Sequence, residues 1–556
     1  MRWVLISLTI SILLSFVSFA QVQYPLYYLK PGFHISYVAN YPTIPRIDGC
    51  DDVLAGLDLN KNGKLEILAI NDPTVSSPSS NDTTKWIFWF ENDGNDNYKL
   101  LWSVGLPLTS ITTGYSFPGV NITDVDGDGN YEITVVNPSN ADPASGVTNP
   151  DKIFFYEYDP QTKTFPTEPT FSWNLDYPAD GEAGFRLTYL YADDFDNDGK
   201  QEIALIDRTS NIHMWIISLD GNDLNPFSTF KIEFQDSSLT ATWAFDIAVT
   251  DFDRDGKKEV WFGTWTNFTW VIVEAEGPDT YVKKKVVTNS HIGSGTLVGT
   301  LRSLKFMDMD GDGYPEGFAM ATNGKLVFIE NKKPTDVSEI DSTYFYKVGG
   351  WDYTRGADWG DLDGDGNLDV IVAGNYRNVY HIEYKGSGPF ADSTSWEWDE
   401  FLSDTLGTPR YYYVSIPKGD MDGDGKREVV IGSLQRPDST RGFFIVFESD
   451  VAVKVQAQND EILMGYHLSQ NYPNPFNPTT WIEFSIPRDE FISLKIYTVD
   501  GRLVKTLIEG RYYSAGKHKI TWDGTDENGN KVASGVYIYK ISAGKFEASR
   551  KMLLLR

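Results

Sequence analysis

Several features that would define common protein classes are scarce in this sequence. Cys50 is the one cysteine among 556 residues, which excludes an internal disulfide framework, so stability must come from core burial or from metal ions. Cys50 itself is expected to be a small, buried, apolar residue. Lys and Arg number 48 against 78 Asp and Glu, and the net charge of −30 argues against a nucleic-acid partner.

Long apolar runs are scarce as well. The first twenty residues have the pattern of a cleaved export signal: Arg2 supplies a positive charge, Val4 to Val17 form a short apolar run, and Ser18 to Ala20 end it with a small residue. No later segment has about 18 consecutive uncharged apolar residues, so we expect no transmembrane helix in the mature chain. We predict a protein that works outside the cytoplasm, either secreted or attached to the outer-membrane surface.

Catalytic signatures are also missing. The sequence contains no H-E-x-x-H, G-x-S-x-G or P-loop motif, and Gly293, Gly295 and Gly299 lack the spacing of a dinucleotide-binding loop. The six histidines show no metal-ligand spacing, and His213 and His381 alternate within strand-like runs. No catalytic residue or organic cofactor is therefore predicted.

Tryptophan is plentiful, as at Trp261, Trp265 and Trp270, and its flat faces could stack on sugars. Sheet cores also bury tryptophan, and core packing is the interpretation we favour.

One nine-residue pattern recurs seven times. Acidic or amide residues occupy positions 1, 3 and 5, glycine position 6 and an acid position 9, and the repeats begin at residues 58, 124, 194, 251, 308, 361 and 420. The glycine permits a sharp turn that brings the side chains at positions 1, 3 and 5 to one point. A carbonyl at position 7 and the acid at position 9 then complete a shell of oxygens, which Ca²⁺ prefers. Without an ion, such clustered carboxylates would raise one another's pKa.

We therefore predict up to seven bound Ca²⁺, one in each loop. The predicted ligands, loop by loop and with position 7 acting through its carbonyl, are Asp58, Asn60, Asn62, Lys64 and Glu66; Asp124, Asp126, Asp128, Asn130 and Glu132; Asp194, Asp196, Asp198, Lys200 and Glu202; Asp251, Asp253, Asp255, Lys257 and Glu259; Asp308, Asp310, Asp312, Tyr314 and Glu316; Asp361, Asp363, Asp365, Asn367 and Asp369; and Asp420, Asp422, Asp424, Lys426 and Glu428. The first loop should bind most weakly because Asn60 and Asn62 replace two charges. Pro315 is expected to alter the geometry of the fifth loop.

An EF-hand and a plain turn are the other interpretations of the loops. An EF-hand needs Glu at position 12 and flanking helices, but position 12 is Val135 in the second loop and Leu205 in the third. β-branched runs follow the loops, so each loop is expected at the tip of a β-hairpin. A plain Asp-Gly turn would explain any single loop, but not seven.

A repeat of 53 to 70 residues has room for four strands and their turns, which is the content of a propeller blade. In the sixth unit we predict these strands at 355–362, 368–373, 378–384 and 395–401. The predicted fold is all-β, with a seven-bladed β-propeller over residues 21–455. Phe33 to Val38 are expected to close the ring by pairing with the last blade.

The loops and the strands after them resemble the FG-GAP/VCBS repeats of the integrin α-subunit head and of many bacterial exported proteins. This resemblance implies calcium-stiffened hairpins on one face of a propeller. It implies adhesion or ligand binding only by analogy, because propellers host many functions.

The C-terminal part differs in composition. After a linker over 456–470, strands predicted at 480–486, 492–497, 517–522 and 535–541 indicate a small immunoglobulin-like β-sandwich over 471–556. The motifs that carry a second resemblance lie at 471–480, 496–502, 522–526, 532–537 and 551–556. They resemble the type A sorting domain of the type IX secretion system, which implies a bacterium of the Bacteroidota kind and that secretion machinery as a partner. In such proteins the domain is often removed and the body attached to surface lipopolysaccharide. An ordinary accessory sandwich is the alternative.

Three functions remain open at this point. We favour a cell-surface binding or adhesion scaffold for an unknown protein or glycan ligand. The alternative is a secreted carbohydrate-active enzyme, a polysaccharide lyase or glycosidase, because acid pairs could lie among the many carboxylates. A carrier with no ligand beyond calcium is the third.

Overall fold

The structure is a computed structural model. It describes residues 26–39, 50–71, 85–94, 96–106, 119–137, 152–174, 187–207, 212–221, 224–225, 227–239, 244–264, 269–288, 301–310, 312–321, 326–348, 354–365, 367, 369–374, 378–390, 392–404, 411–417, 419–433, 443–451, 467–486, 490–499, 501–513, 516–527, 529–543 and 546–555. The predicted export signal and linker residues 456–466 lie outside them. Among the described residues, no helix is long and apolar enough to cross a membrane.

Residues 26–451 contribute seven antiparallel sheets, which we number as blades 1 to 7 in chain order. Each blade runs from an inner strand to an outer strand. The strands, from the inside outward, are Cys50–Leu57, Glu66–Asn71, Lys85–Asn92 and Tyr98–Leu106 in blade 1; Gly119–Thr123, Glu132–Asn137, Lys152–Glu157 and Phe171–Asn174 in blade 2; Leu187–Asp193, Glu202–Asp207, Ile212–Leu219 and Phe230–Leu239 in blade 3; Ala244–Thr250, Glu259–Thr264, Thr269–Gly277 and Thr280–Val287 in blade 4; Leu301–Met307, Glu316–Ala321, Leu326–Ile329 and Phe345–Val348 in blade 5; Thr354–Gly360, Asp369–Gly374, Asn378–Tyr384 and Trp396–Asp404 in blade 6; and Tyr411–Ser415, Glu428–Ser433 and Phe444–Ser449 in blade 7. Short 3-10 turns lie at Val337–Glu339, Ser342–Tyr344 and Ser393–Ser395.

The N-terminal strands complete the last two blades. Phe33–Val38 pairs antiparallel with Phe444–Ser449 and forms the outer strand of blade 7, which confirms the predicted partner of this strand. Leu26–Leu29 adds a fifth strand to blade 6. Residues from the two ends of the repeat region therefore share one sheet, and the inner strand of blade 7 packs beside that of blade 1.

Apolar side chains fill the spaces between neighbouring blades. Trp261 and Trp270 are fully buried against Leu304 of blade 5, so they pack in the core as expected. Burying an aliphatic side chain such as Leu304 stabilises the fold by about 1.5–3 kcal/mol. Cys50 is buried as well, and a Cβ atom on Gly432 of blade 7 would lie only 2.9 Å from its Sγ atom. Trp265 lies outside the described residues.

The C-terminal residues form two further sheets. Their strands are His467–Leu468, Thr480–Ile486 and Gly516–Trp522 in one sheet, and Leu503–Tyr513, Glu490–Thr498, Gly535–Ala543 and Phe546–Leu554 in the other. Phe484 and Trp522 of the first sheet share one buried core with Ile496 and Tyr539 of the second. The two sheets are thus packed face to face, and the predicted all-β class is confirmed.

Candidate metal centres

Each of the seven predicted loops connects the inner strand of a blade to its second strand. In blade 3, the loop leaves Leu187–Asp193 and ends at Glu202–Asp207. Gly199 at position 6 has a φ of +97° and Asn197 at position 4 a φ of +60°, so the turn needs left-handed backbone at both positions. The strands on both sides exclude an EF-hand.

Backbone N–H groups hold the side chains at positions 1, 3 and 5 of each loop in place. In the third loop, Gly199 N–H donates to Asp194 at 3.0 Å and Asp198 N–H donates to Asp196 at 3.0 Å. Lys200 N–H donates to Asp198 at 2.8 Å. All three bonds recur in the first, second, fourth, fifth and seventh loops. In the sixth loop, the bonds to the side chains at positions 3 and 5 recur. The predicted ligands are therefore brought to one turn and preorganised there.

The acid at position 9, the last residue of each loop, hydrogen-bonds back to the start of the same loop. Glu259 is fully buried, and one of its oxygens, Oε2, accepts a hydrogen bond from Phe252 N–H at position 2. The equivalent bond is present in all seven loops. The other oxygen, Oε1, is buried without a hydrogen-bond donor in Glu66, Glu132 and Glu259, as far as the described residues show. A buried carboxylate oxygen is costly to leave without a donor or a cation.

These acids have strongly perturbed pKa values. Burial, and to a smaller extent the neighbouring loop carboxylates, raises the pKa of Glu132 and Glu202 to about 9. Burial followed by repulsion from Asp253 and Asp255 raises the pKa of Asp251 to about 7. The sequence pointed to mutual repulsion, but loss of solvent is the larger cause. A divalent cation would stabilise the ionised form of each group.

Carboxylate oxygens meet at distances suited to one ion. In the fourth loop, one oxygen from each of Asp251, Asp253, Asp255 and Glu259 lies within 4.8 Å of the others. Positions 1, 3 and 9 form equivalent groups in the second and third loops. The oxygen-only donor set fits Ca²⁺.

The sequence did not reveal a second acid beside several of these sites. Strand register places Glu91, Glu157, Glu274, Glu383 and Glu448 of the third strands directly opposite the position-9 acids of blades 1, 2, 4, 6 and 7. In the sequence, each of these glutamates follows a mostly apolar run, as in Phe-Trp-Phe-Glu at 88–91. Whether such a glutamate lies beside a loop depends on which strands pair.

The first and sixth loops differ from the others. In the first, the side-chain amides of Asn60 and Asn62 both donate to Glu91, so two predicted ligands already have a partner. In the sixth, Asp369 is shorter than the usual Glu, and His381 Nε2 lies 2.5 Å from its Oδ1 atom. His381 is a buried blade residue, as expected, but it also adjoins the site.

Pro315 does not disturb the fifth loop, which corrects our expectation. The bonds from Gly313 N–H to Asp308 and from Tyr314 N–H to Asp312 are 2.9 Å each, as in the other loops. Proline lacks an N–H group, but position 8 donates no bond to the loop acids. Its carbonyl accepts a hydrogen bond from Asn331 instead.

Side chains at position 4 link neighbouring loops. Lys61 donates to Gly129 O of the second loop, and Asn197 donates to Gly256 O at 2.8 Å. Arg254 lies over the ring of Tyr314, with its Cζ atom 4.6 Å from the ring centroid. These contacts place loops of adjacent blades side by side on one face of the ring.

The inner strands of all seven blades line a cavity of about 990 Å³, which we call the central channel. Asp52, Asp246, Lys305 and Asp358, from four different blades, lie along it. Burial raises the pKa of Asp52 to about 7 and that of Asp246 to about 6. Burial acts to lower the pKa of Lys305, but attraction to the three carboxylates outweighs burial, so the pKa of Lys305 is raised overall.

Backbone groups fix two of these channel carboxylates. Leu304 N–H of blade 5 donates to Asp246 of blade 4, and Ile416 N–H of blade 7 donates to Asp358 of blade 6 at 2.8 Å. Each acid therefore also ties one blade to the next. A preformed cavity with a few fixed polar groups is typical of a ligand site.

Comparisons with known proteins agree with this architecture. The family described as FG-GAP-like repeat matches residues 194–262, 308–372 and 361–431, which contain the third to the seventh loops. The family described as FlgD Ig-like domain matches residues 481–546. No curated protein matches the chain. The chain thus carries FG-GAP-like repeats, which imply a propeller, and a C-terminal immunoglobulin-like domain.

Proposed function

We propose that this protein is an exported, calcium-binding β-propeller that acts as a binding or adhesion scaffold. The observation that supports calcium best is the buried oxygen of Glu66, Glu132 and Glu259 that meets no donor among the described residues and lies next to acids of the same loop. The residues at positions 1, 3, 5 and 9 and the carbonyl at position 7 would hold the ion. Its charge would neutralise acids that burial otherwise keeps protonated.

Calcium would also prepare a surface for binding. Loops of adjacent blades contact one another through Lys61, Asn197 and Arg254, so ions that order the loops would also order that face of the ring. Elemental analysis and calcium titration of the purified mature chain test this step. We expect several Ca²⁺ per chain. A chain that binds none in millimolar calcium overturns the proposal.

We further propose that the ligand, a protein or a glycan, enters the central channel. The carboxylates of Asp52, Asp246 and Asp358 and the ammonium of Lys305 are among the groups that the channel offers to a polar ligand, and its volume of about 990 Å³ suits a small oligosaccharide or a peptide loop. Glycan-array and pull-down binding should fall at least about tenfold in a Lys305→Met variant. Asp220→Asn, an exposed change on blade 3, serves as the control. Equal binding by both variants contradicts a channel site.

Export through the type IX secretion system is part of the proposal. The motifs at 471–480 and 551–556 support it, together with the immunoglobulin-like fold of the C-terminal residues. Cell fractionation in a host that has this system compares the full chain with one that ends at residue 470. We expect the full chain at the surface or in the medium and the shortened chain in the periplasm. Surface delivery of both contradicts the proposed route.

A carbohydrate-active enzyme is the second candidate, and the channel favours it specifically. Asp52 and Asp246 have pKa values of about 7 and about 6, the range in which a carboxyl group acts as a general acid near neutral pH. Assays for new reducing ends and for unsaturated products decide between the candidates. Turnover that is lost in Asp246→Asn supports the enzyme, and binding without turnover supports the scaffold.

A further inference from the structure

The position-3 acid of a loop contacts the next blade as well as its own loop. Leu224 N–H, in the turn before the outer strand of blade 3, donates to Asp126 of blade 2 at 2.8 Å. Asp279 N–H of blade 4 donates to Asp196 of blade 3 at 2.6 Å. Asp253 of blade 4 accepts a backbone hydrogen bond from Val337 of blade 5. At these three interfaces, the neighbouring blade supplies a donor to a loop acid.

The interface between blades 7 and 1 is different. The position-3 acid is Asp422, and the equivalent turn of blade 1, between Lys85–Asn92 and Tyr98–Leu106, presents the carboxylate of Asp96. Glu448 of blade 7 is the third member, and one oxygen from each of the three lies within 4.8 Å of the others. Where those three interfaces join an acid to an N–H group, this one brings together three acids.

Glu448 gives independent evidence that a ligand is needed. Its side chain is 0 % exposed, and its Oε1 atom is already paired with the ammonium of Lys426. Its Oε2 atom is buried and meets no N–H or O–H donor within the described part of the chain, and the carboxylate of Asp96 lies within hydrogen-bonding reach of the Glu448 side chain. The other charged groups around Glu448 are Asp424, which shares Lys426, Glu428, which lies directly opposite in the sheet, and His34, which lies 3.6 Å from Glu448 Oε1. One ammonium is therefore shared among several carboxylates.

We propose that Asp96, Asp422 and Glu448 bind a further Ca²⁺ that bridges blades 7 and 1. The three oxygens lie within 4.8 Å of one another, a span that two Ca²⁺–O bonds of about 2.4 Å can cover, and an oxygen-only donor set suits Ca²⁺. Asp422 has two oxygens, so it can serve this ion and that of the seventh loop. The inference rests on the proposed calcium loops, since Asp422 belongs to one of them.

The position of this site gives it a distinct role. Blade 7 is completed by Phe33–Val38, so within this blade the N-terminal and C-terminal parts of the ring are joined by hydrogen bonds and packing rather than by continuous chain. Asp96 belongs to the N-terminal part, and Asp422 and Glu448 belong to the C-terminal part, so an ion that joins them adds a bond between the same two parts of the chain. Calcium at this site would therefore hold the ring closed, in addition to stiffening individual loops. We call this bridging ion the clasp.

The test uses the full mature chain and two variants of one turn. Asp96→Asn removes the bridging charge, and Asp93→Asn, in the same turn but exposed, is the matched control. Glu448→Gln is a second variant at the site. Bound calcium is counted by elemental analysis after gel filtration. Hydrogen exchange follows protection of the strand Phe33–Val38 as calcium is added.

We expect Asp96→Asn and Glu448→Gln to bind one Ca²⁺ fewer than the wild type. Both should need at least tenfold more calcium to protect Phe33–Val38, while Asp93→Asn matches the wild type. In the presence of a chelator, Asp96→Asn should have a higher melting temperature than the wild type because one repelling charge is gone. A purely structural role of Asp96 would not raise the melting temperature. Unchanged calcium number and protection in Asp96→Asn overturn the clasp alone. A wild type that binds no calcium overturns both the clasp and the proposed function.

Discussion

Glu259 lies directly opposite Glu274 across the second and third strands of blade 4, and both side chains are buried. Oε1 of Glu259 and Oε2 of Glu274 have no hydrogen-bond partner in the described ranges. Lys257 and Lys284 reach Oε1 of Glu274, at 3.5 and 3.0 Å. Like charges directly opposite each other destabilise a sheet, so the calcium ion proposed for the fourth loop would stabilise this pair beyond what the two lysines contribute.

Replacing Glu259 should weaken calcium binding at the fourth loop. Glu259→Gln keeps the acceptor for Phe252 N–H but removes one negative charge from the shell, and we expect at least ~10-fold lower affinity there. Calcium titration by calorimetry measures it. Glu276→Gln, exposed on the strand that carries Glu274, is the control and should match the wild type. Equal affinities for all three proteins contradict the assignment.

Removing calcium should lower thermal stability. A ligand that binds only the folded state at 100 times its Kd contributes about 2.7 kcal/mol per site, so chelation should lower the melting temperature by at least ~5 °C. Scanning calorimetry with and without EDTA checks this, and excess Ca²⁺ should restore the original value. A melting temperature that does not respond to either addition contradicts a structural role for calcium.

The first loop should gain affinity when its missing charges are restored. Asn60 and Asn62 donate to Glu91, and although burial opposes it, these bonds lower the pKa of Glu91. In Asn60→Asp with Asn62→Asp, two more carboxylates enter the shell, and we expect at least ~10-fold tighter binding at this site. Terbium luminescence sensitised by the buried Trp89 of the same blade reports on it. Unchanged or weaker binding would show that loop charge does not set the affinity.

The contribution of Asp52 to stability should fall as pH rises from about 4 to about 7. Burial raises the pKa of Asp52 from 3.8 in its ordinary state to about 7, so in this window the folded chain holds a proton that the unfolded chain has lost. The contribution of Asp52 to the free energy of unfolding therefore decreases with pH there and levels off above about 7. Urea denaturation across pH 5–8, at saturating calcium, measures the slope.

Asp52→Asn should reduce that slope, because asparagine does not titrate. The exposed change Asp220→Asn should leave it as in the wild type. A slope that is the same in all three proteins would mean that Asp52 is ionised throughout the window.

Local features followed closely from local sequence. In blade 6, the strand predicted at 378–384 is found at Asn378–Tyr384, and the one predicted at 355–362 is found at Thr354–Gly360. In the C-terminal part, Thr480–Ile486 agrees at both ends, but Leu503–Tyr513 and Phe546–Leu554 were not predicted. Their long, mixed polar and apolar patterns gave no clear period.

Residues within one loop could be grouped without a structure because they are at most eight positions apart, and the turn itself brings them together. Glu91, Glu274, His381 and Asp96 could not, since each reaches its site through strand pairing or blade packing. Nothing in their immediate sequence specifies which strand will lie opposite. The same holds for the channel, where Asp52 and Lys305 are brought together by the ring.

The order of residues alone thus specified the turns, their acids and the β-strands around them, because backbone geometry and side-chain spacing act over a few residues. Pairing register, burial and the closure of the ring decided which of those acids lose their solvent, and how strongly each therefore requires a cation. These depend on contacts between segments far apart in the chain, as between Phe33–Val38 and Phe444–Ser449.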